Sequence, residues 1–173
     1  GPAAEESLRG ALALAPGDPI LWEDLARINM GAGGAGAAAA LSALGQAAGL
    51  DPTNAVYPAE AAELLLGAGR RQAALALCGE ALRLEPVFPT AHMLEAEALL
   101  GLGRAQEARE SLSRAARAGS SAPSERGSYA GVIRRFDQER FARLESLLRA
   151  APCPAGPPSR APLASALAPG ADR

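Results

Sequence analysis

The residues of this chain that could do chemistry are few and lie far apart. A glycine-rich run, GAGGAG at residues 31–36, has the G-x-G-x-x-G spacing of dinucleotide-binding loops, and Asp51 follows 20 residues after Gly31 (51 − 31). Such a site needs a strand before the glycines. Here an apolar helical pattern precedes them, so we interpret the run as a flexible turn inside a helical hairpin.

The histidine and the cysteines do not form a catalytic or metal-binding pattern. His92 is the single histidine, and one histidine cannot build a zinc site. Cys78 lies on the apolar face of a predicted helix, where a small buried side chain is expected, and Cys153 lies in a proline-rich tail. The sequence therefore predicts no enzyme activity in this chain, with no catalytic residue, no cofactor-binding residue, no cofactor and no metal site.

The composition predicts an all-α fold. Hydrophobic residues make up 49% of the 173 residues, but aromatic residues only 3%, so Ala and Leu must supply the core. Alanine is the best helix former, and strand-favouring residues are scarce. The formal net charge of −2 leaves no basic face for nucleic acid. No stretch approaches the roughly 20 apolar residues that a membrane-spanning helix requires.

The chain repeats one pattern of helix, glycine turn, helix and proline. Pro52 and Pro86 lie 34 residues apart (86 − 52), and Gly69 and Gly103 lie 34 residues apart (103 − 69). The distance from Pro16 to Pro52 is 36 residues (52 − 16), which is one period with a two-residue insertion. A helical repeat of this length predicts a solenoid.

These repeats resemble the tetratricopeptide-repeat family. The resemblance rests on large, small and turn positions of three repeats: Trp22, Leu25, Ala26, Ala40, Ala47 and Pro52; Ala61, Ala62, Leu65, Gly69, Ala74, Ala81 and Pro86; Ala96, Leu99, Gly103, Ala108 and Ala115. Glu95 departs from it, because the family has a buried apolar residue there, and the third repeat lacks its closing proline. The resemblance implies an all-α, right-handed superhelix of helical hairpins, with about three repeats and flanking helices.

The repeat register divides the chain. The predicted units are a disordered start or tag remnant at 1–4, the solenoid at 5–118 (half repeat 5–17, repeats 18–52, 53–86 and 87–119), a degenerate repeat or capping helices at 120–150, and a disordered Pro/Ala-rich tail at 151–173. A half repeat at the start leaves an apolar helix pair without its neighbour, which favours a homodimer as one possible assembly.

The resemblance also implies a binding groove lined by the first helix of each repeat. The groove residues carried over are Glu23, Asp24, Arg27, Val56, Glu60, Glu63, Met93, Leu94, Glu97 and Leu100. Carboxylates beside apolar side chains suit a basic or amphipathic peptide. The chaperone-binding members of the family use Lys, Arg and Asn in this groove, so glutamates here argue against their partners. The alternative is that the carboxylates only keep an exposed face soluble.

Two functions follow from these patterns. The first is a non-catalytic protein–protein interaction scaffold that binds a peptide or a partner domain in the groove. The alternative is an accessory domain of a larger bacterial envelope enzyme with its catalysis elsewhere. That second reading rests on a resemblance to the repeat tails of O-antigen ligase or polymerase-type proteins, carried by Leu84, Glu85, Pro86, Phe88, Ala91, His92, Phe136, Asp137, Glu139 and Arg140.

Overall fold

The computed structural model describes residues 2–31, 36–121 and 137–151, and these residues form helices and connecting turns without a strand. Eight helices lie within them: α1 Pro2–Leu14, α2 Pro19–Gly31, α3 Ala37–Leu50, α4 Val56–Gly67, α5 Arg71–Leu84, α6 Pro89–Gly101, α7 Ala105–Ser121 and α8 Gln138–Ala150. None of these helices is long and apolar enough to cross a membrane.

The helices pair in sequence order and the pairs stack. The most extensive contacts join α2 with α3, α4 with α5, and α6 with α7, and each pair then packs against the next. Helix α1 packs on α2 at one end, and α8 packs on α6 and α7 at the other. We call α2, α4 and α6 the first helices and α3, α5 and α7 the second helices. This arrangement confirms the predicted all-α solenoid of helical hairpins.

Alanines allow the close packing of the helices. Nine family positions that sequence analysis identified as alanines are fully buried: Ala26, Ala40, Ala47, Ala62, Ala74, Ala81, Ala96, Ala108 and Ala115. A methyl side chain costs no rotamer entropy on burial and allows two helix backbones to approach. The larger side chains that fill the remaining space include Phe88, Leu44 and Leu144.

The turns within the second and third pairs share one hydrogen-bonded form. Gly69 and Gly103 have φ angles of 72° and 77°, the left-handed conformation that glycine adopts without a Cβ clash. The N–H of Arg70 donates to the carbonyl of Leu65 at 2.8 Å, and the N–H of Arg104 donates to that of Leu99 at 2.9 Å. These bonds satisfy carbonyl groups at the helix ends. Both turns place a left-handed residue at the same point of the repeat, so the two glycines lie one period of 34 residues apart.

Two helix boundaries differ from the sequence-based expectation. Helix α1 begins at Pro2, inside the segment predicted to be disordered, because a proline at the first helical position has no N–H that would go unpaired. Helix α7 continues to Ser121, past the loop predicted from Gly119.

Several predicted features lie wholly or mainly outside the described residues. They are the glycine run after Gly31, the first part of the degenerate repeat, and the Pro/Ala-rich tail with Cys153. Helix α8 lies in the segment predicted to be helical. The division into domains stays a prediction.

Candidate functional site

The candidate site is the side of the solenoid formed by the first helices, which we call the first-helix face. Its predicted residues come from three helices: Glu23, Asp24 and Arg27 from α2; Val56, Glu60 and Glu63 from α4; Met93, Leu94, Glu97 and Leu100 from α6. The polar members fall into two clusters, one joining α2 with α4 and one joining α4 and α6 with α8. Whether this face binds a partner stays a prediction.

The apolar members of the predicted set belong to the core. Val56, Met93 and Leu94 are buried, and Leu100 packs against the cluster that contains Leu144 of α8. Sequence analysis expected these side chains to offer apolar contact to a ligand. Stacking of neighbouring pairs covers them, so the surface chemistry of the described face is carried by charged residues.

The first cluster is centred on the guanidinium of Arg27. It pairs with Glu23 one turn earlier, with Asp24 at 3.2 Å, and with Glu60 of α4 at 3.3 Å. The Glu60 side chain is only 6% exposed, and its second carboxylate oxygen, Oε2, is buried without a hydrogen-bond partner among the described residues. One arginine therefore pairs with three carboxylates at a partly buried position.

Burial changes the proton affinity of this cluster. Removal from water and the carboxylate of Glu23 raise the pKa of Glu60, Arg27 opposes both effects, and the net pKa is about 7. Burial likewise raises the pKa of Glu23, again against the attraction of Arg27. A carboxyl with a pKa near 7 changes charge in the neutral range, so this part of the face has no fixed charge there.

The second cluster is centred on Arg140 of α8. Its guanidinium lies 2.7 Å from Glu63 Oε1 of α4 and 3.3 Å from Glu97 Oε2 of α6, and Arg143 lies 3.6 Å from the same Glu97 oxygen. The side chains of Glu63 and Glu97 are 51% and 32% exposed, although the Oε2 atom of Glu97 is itself buried. The structure thus brings together two predicted site residues that occupy equivalent positions in consecutive repeats.

Sequence analysis did not identify Arg140 as a site residue. It lies 43 residues after Glu97 (140 − 97), whereas the repeat period is 34. The sequence feature that could have pointed to this region is Asp137, a helix-capping residue type. Its side chain caps α8 by accepting a hydrogen bond from the N–H of Arg140 at 2.9 Å. That cap marks the start of the helix but does not indicate which side chain turns toward the first-helix face.

His92 belongs to a buried polar cluster between α6 and α7. Its Nε2 lies 3.1 Å from the carbonyl oxygen of Pro86, and because a carbonyl only accepts, Nε2 must donate. Its Nδ1 lies 3.5 Å from Glu95 Oε2. Burial would raise the pKa of Glu95, but the His92 and Ser111 side chains beside the carboxylate lower it. The burial of His92 and Ser111 keeps this cluster away from any substrate.

Metal ligation has no candidate within the described ranges. No three His, Cys, Asp or Glu side chains of residues 2–31, 36–121 and 137–151 come together as ligands of one ion would. The acidic clusters described above place arginines, not further ligands, between their carboxylates.

Comparison with known proteins gives a family match over part of the chain. Residues 60–123 match the family model described as "Tetratricopeptide repeat". No curated protein sequence matches the chain.

Solved structures of tetratricopeptide-repeat proteins resemble this one. A thermophilic repeat protein of Thermus thermophilus matches with a TM-score of 0.64 and 22% identity, over 84% of this chain and 72% of that one. The first repeat domain of Spaghetti (RPAP3), bound to the HSP90 peptide SRMEEVD, gives 0.61 and 16%, over 76% and 91%. The TPR2B domain of yeast Sti1, in a pHsp70 complex, gives 0.59 and 19%, over 75% and 98%.

These identities show a common fold. None of the three structures is an O-antigen ligase, so that second resemblance stays a prediction.

Proposed function

We propose that this chain, which is a tetratricopeptide-repeat protein, serves as a non-catalytic scaffold that binds a peptide or a partner domain on its first-helix face. Two of the structures that share its fold are complexes, one with the peptide SRMEEVD and one with pHsp70. They support a binding role for stacked helical pairs, while the chemistry of the partner must follow from this chain's own residues.

One observation carries the proposal: Glu63 and Glu97 stand side by side at solvent-accessible positions of neighbouring repeats and hold a guanidinium between them. Two carboxylates on parallel first helices form a subsite for a cationic side chain, which Arg140 of α8 occupies and which a basic partner would share or take over. A basic or amphipathic partner therefore fits this face. The peptide SRMEEVD carries three acidic residues and one arginine, so its charge is opposite to what these glutamates favour.

Calorimetric titration with designed peptides tests the proposal. The probes are a basic amphipathic peptide rich in Arg and Leu, and a counterpart in which every Arg is replaced by Glu. The basic peptide should bind and the acidic one should not. The double variant Glu63→Gln/Glu97→Gln should weaken binding by about five- to tenfold, since each exposed ion pair contributes up to roughly 1 kcal/mol.

The matched control is Glu80→Gln/Glu110→Gln, which removes the same charge from exposed positions on the second helices α5 and α7. It should bind the basic peptide as the wild type does. If both double variants weakened peptide binding equally, the interaction would depend on the overall charge of the protein, which would contradict binding at a defined face. Glu60 is unsuitable for this test because it is buried against Arg27, and changing it would test folding.

A further inference from the structure

We propose that the joint between the first two helical pairs is a pH-responsive latch, formed by Glu23 and Arg27 of α2 and Glu60 of α4. The latch closes when the cluster holds a proton and loosens when that proton leaves. It does not depend on the proposed function, although α2 contributes to the same face.

The joint between the first two pairs is thinner on its first-helix side than the next joint. Helices α4 and α6 pack on each other along the first-helix face, whereas the direct contact between α2 and α4 is sparse. The first pair meets α4 mainly through α3, and Tyr57 and Ala61 of α4 are buried in the apolar cluster of that pair. The guanidinium of Arg27 donates to Glu60 Oε1 and closes the remaining side of this joint, and a protonated carboxyl can still accept this bond.

The charges of this cluster do not balance when every carboxyl is ionised. Glu23, Asp24 and Glu60 share Arg27, and the side chains of Glu23, Arg27 and Glu60 are at least four-fifths buried. Coulomb repulsion between the buried carboxylates is weakly screened. The second oxygen of Glu60 receives no hydrogen bond from the described residues to offset its lost hydration. A proton on Glu60 removes both penalties.

Among the described residues, the elements around Glu60 bring no second cation against it that would replace that proton. Helix α3 has no titratable side chain in its sequence. Helix α5 packs against α4 through Cys78, whose pKa burial raises to about 12, while its Arg71, Glu80 and Arg83 are exposed. On α4 itself, burial and the carboxylate of Glu23 raise the pKa of Tyr57, and Glu63 adds a negative charge. Glu97 of α6 lies beyond Glu63 and is bridged to it by Arg140 of α8.

The direction of the pH effect follows from the raised pKa values. Burial raises the pKa of Glu60 from 4.5 to about 7, so between these values the folded chain holds a proton that the unfolded chain has lost. Folding is therefore favoured at the acidic end of this range and weakened as pH rises toward 7. The raised pKa of Glu23 acts in the same direction.

Trp22 fluorescence offers a local readout. Trp22 is the single tryptophan of the chain, lies in α2, and donates from Nε1 to the carbonyl of Pro16 at 2.9 Å. We would follow urea unfolding by its fluorescence at pH 5 and pH 8. The unfolding equilibrium constant of the wild type should rise by about tenfold or more between them, one pKa unit being tenfold.

The variant Glu60→Gln separates this effect from the titration of other groups. Its pH dependence should be smaller than that of the wild type by about tenfold, because the buried amide cannot ionise. The control Glu80→Gln removes an exposed carboxylate from α5, away from the cluster, and should keep the wild-type pH dependence. Equal pH dependence in wild type and Glu60→Gln would overturn the proposal.

A direct titration keeps the test decisive if Glu60→Gln fails to fold. Carbon-13 NMR of the side-chain carboxyls of the wild-type protein reports the protonation of Glu60. A midpoint near 7 supports the latch, whereas a midpoint near the ordinary 4.5 refutes it.

Discussion

At the scale of single residues, the imidazole of His92 joins a loop carbonyl to a neighbouring carboxylate. Its Nε2–H donates to Pro86, and its other nitrogen lies against Glu95, whose carboxylate also contacts Ser111 of α7. Both ends of the ring therefore meet buried polar groups, which would lose a partner if the ring were removed.

We expect His92→Ala to lower the free energy of unfolding by about 2 kcal/mol, because it leaves the Pro86 carbonyl and the Glu95 carboxylate without this partner. Urea denaturation followed by circular dichroism measures the loss. The exposed Gln72 of α5 provides the comparison: Gln72→Ala should cost about 0.5 kcal/mol or less. Similar losses for the two variants would show that the imidazole bonds add little.

Sequence analysis found no catalytic or metal-binding pattern around His92, and it did not identify the partners of its ring. The structure places this side chain in the interior. Its contact with Pro86 lies six residues back, while Ser111 comes from the next helix. The burial of Glu60 could not be predicted from the sequence either, because it depends on how the first helical pair stacks on α4 and not on the helical pattern around Glu60.

At the scale of elements, α8 ends the described solenoid by packing on the third pair. Leu144 and Leu148 are buried among residues of α6 and α7, whereas Leu147 is 50% exposed. Arg109 of α7 donates to the carbonyls of Leu148 at 2.8 Å and Ala151 at 3.2 Å, where the end of a helix lacks intrahelical partners. The helix is thus held by apolar burial along its length and by an arginine at its end.

We expect Leu148→Ala to lower the free energy of unfolding by about 2–4 kcal/mol, since it leaves a cavity between α8 and α7. Hydrogen exchange measured by mass spectrometry should show faster exchange across residues 138–150 and little change in α4 and α5. The matched control Leu147→Ala removes the same atoms from an exposed position and should leave exchange unchanged. Equal acceleration by both variants would mean that this packing does not hold α8.

The elements inside the repeats could be predicted and those outside them only in part. Gly69 and Gly103 lie in turns whose left-handed backbone favours glycine. Their spacing therefore predicted where the two helices of each hairpin are joined. Helix α8 could be expected from its apolar spacing. Its docking against Glu63 and Glu97 could not, because the register is interrupted between α7 and α8 and no periodic argument places Arg140.

At the scale of the whole molecule, the stacking of helical pairs places charged side chains in a regular order on the first-helix face, although the chain carries little net charge. The first helices place carboxylates at neighbouring positions, and arginines of α2 and α8 lie between them. Sequence analysis expected Glu63 and Glu97 to line this face, and their role in binding stays a prediction. It did not predict that arginines already pair with them, since those pairs join residues 33, 43 and 77 positions apart (60 − 27, 140 − 97 and 140 − 63).

The measurement that tests the proposed binding face most directly is affinity capture from a lysate of the source organism with three forms of the protein. These are the wild type, Glu63→Gln/Glu97→Gln, and the second-helix control Glu80→Gln/Glu110→Gln. We expect a partner that is held by the wild type and by the control but is depleted, by about five- to tenfold, from the first-helix variant. Equal recovery of the same partners by all three forms would contradict binding through Glu63 and Glu97.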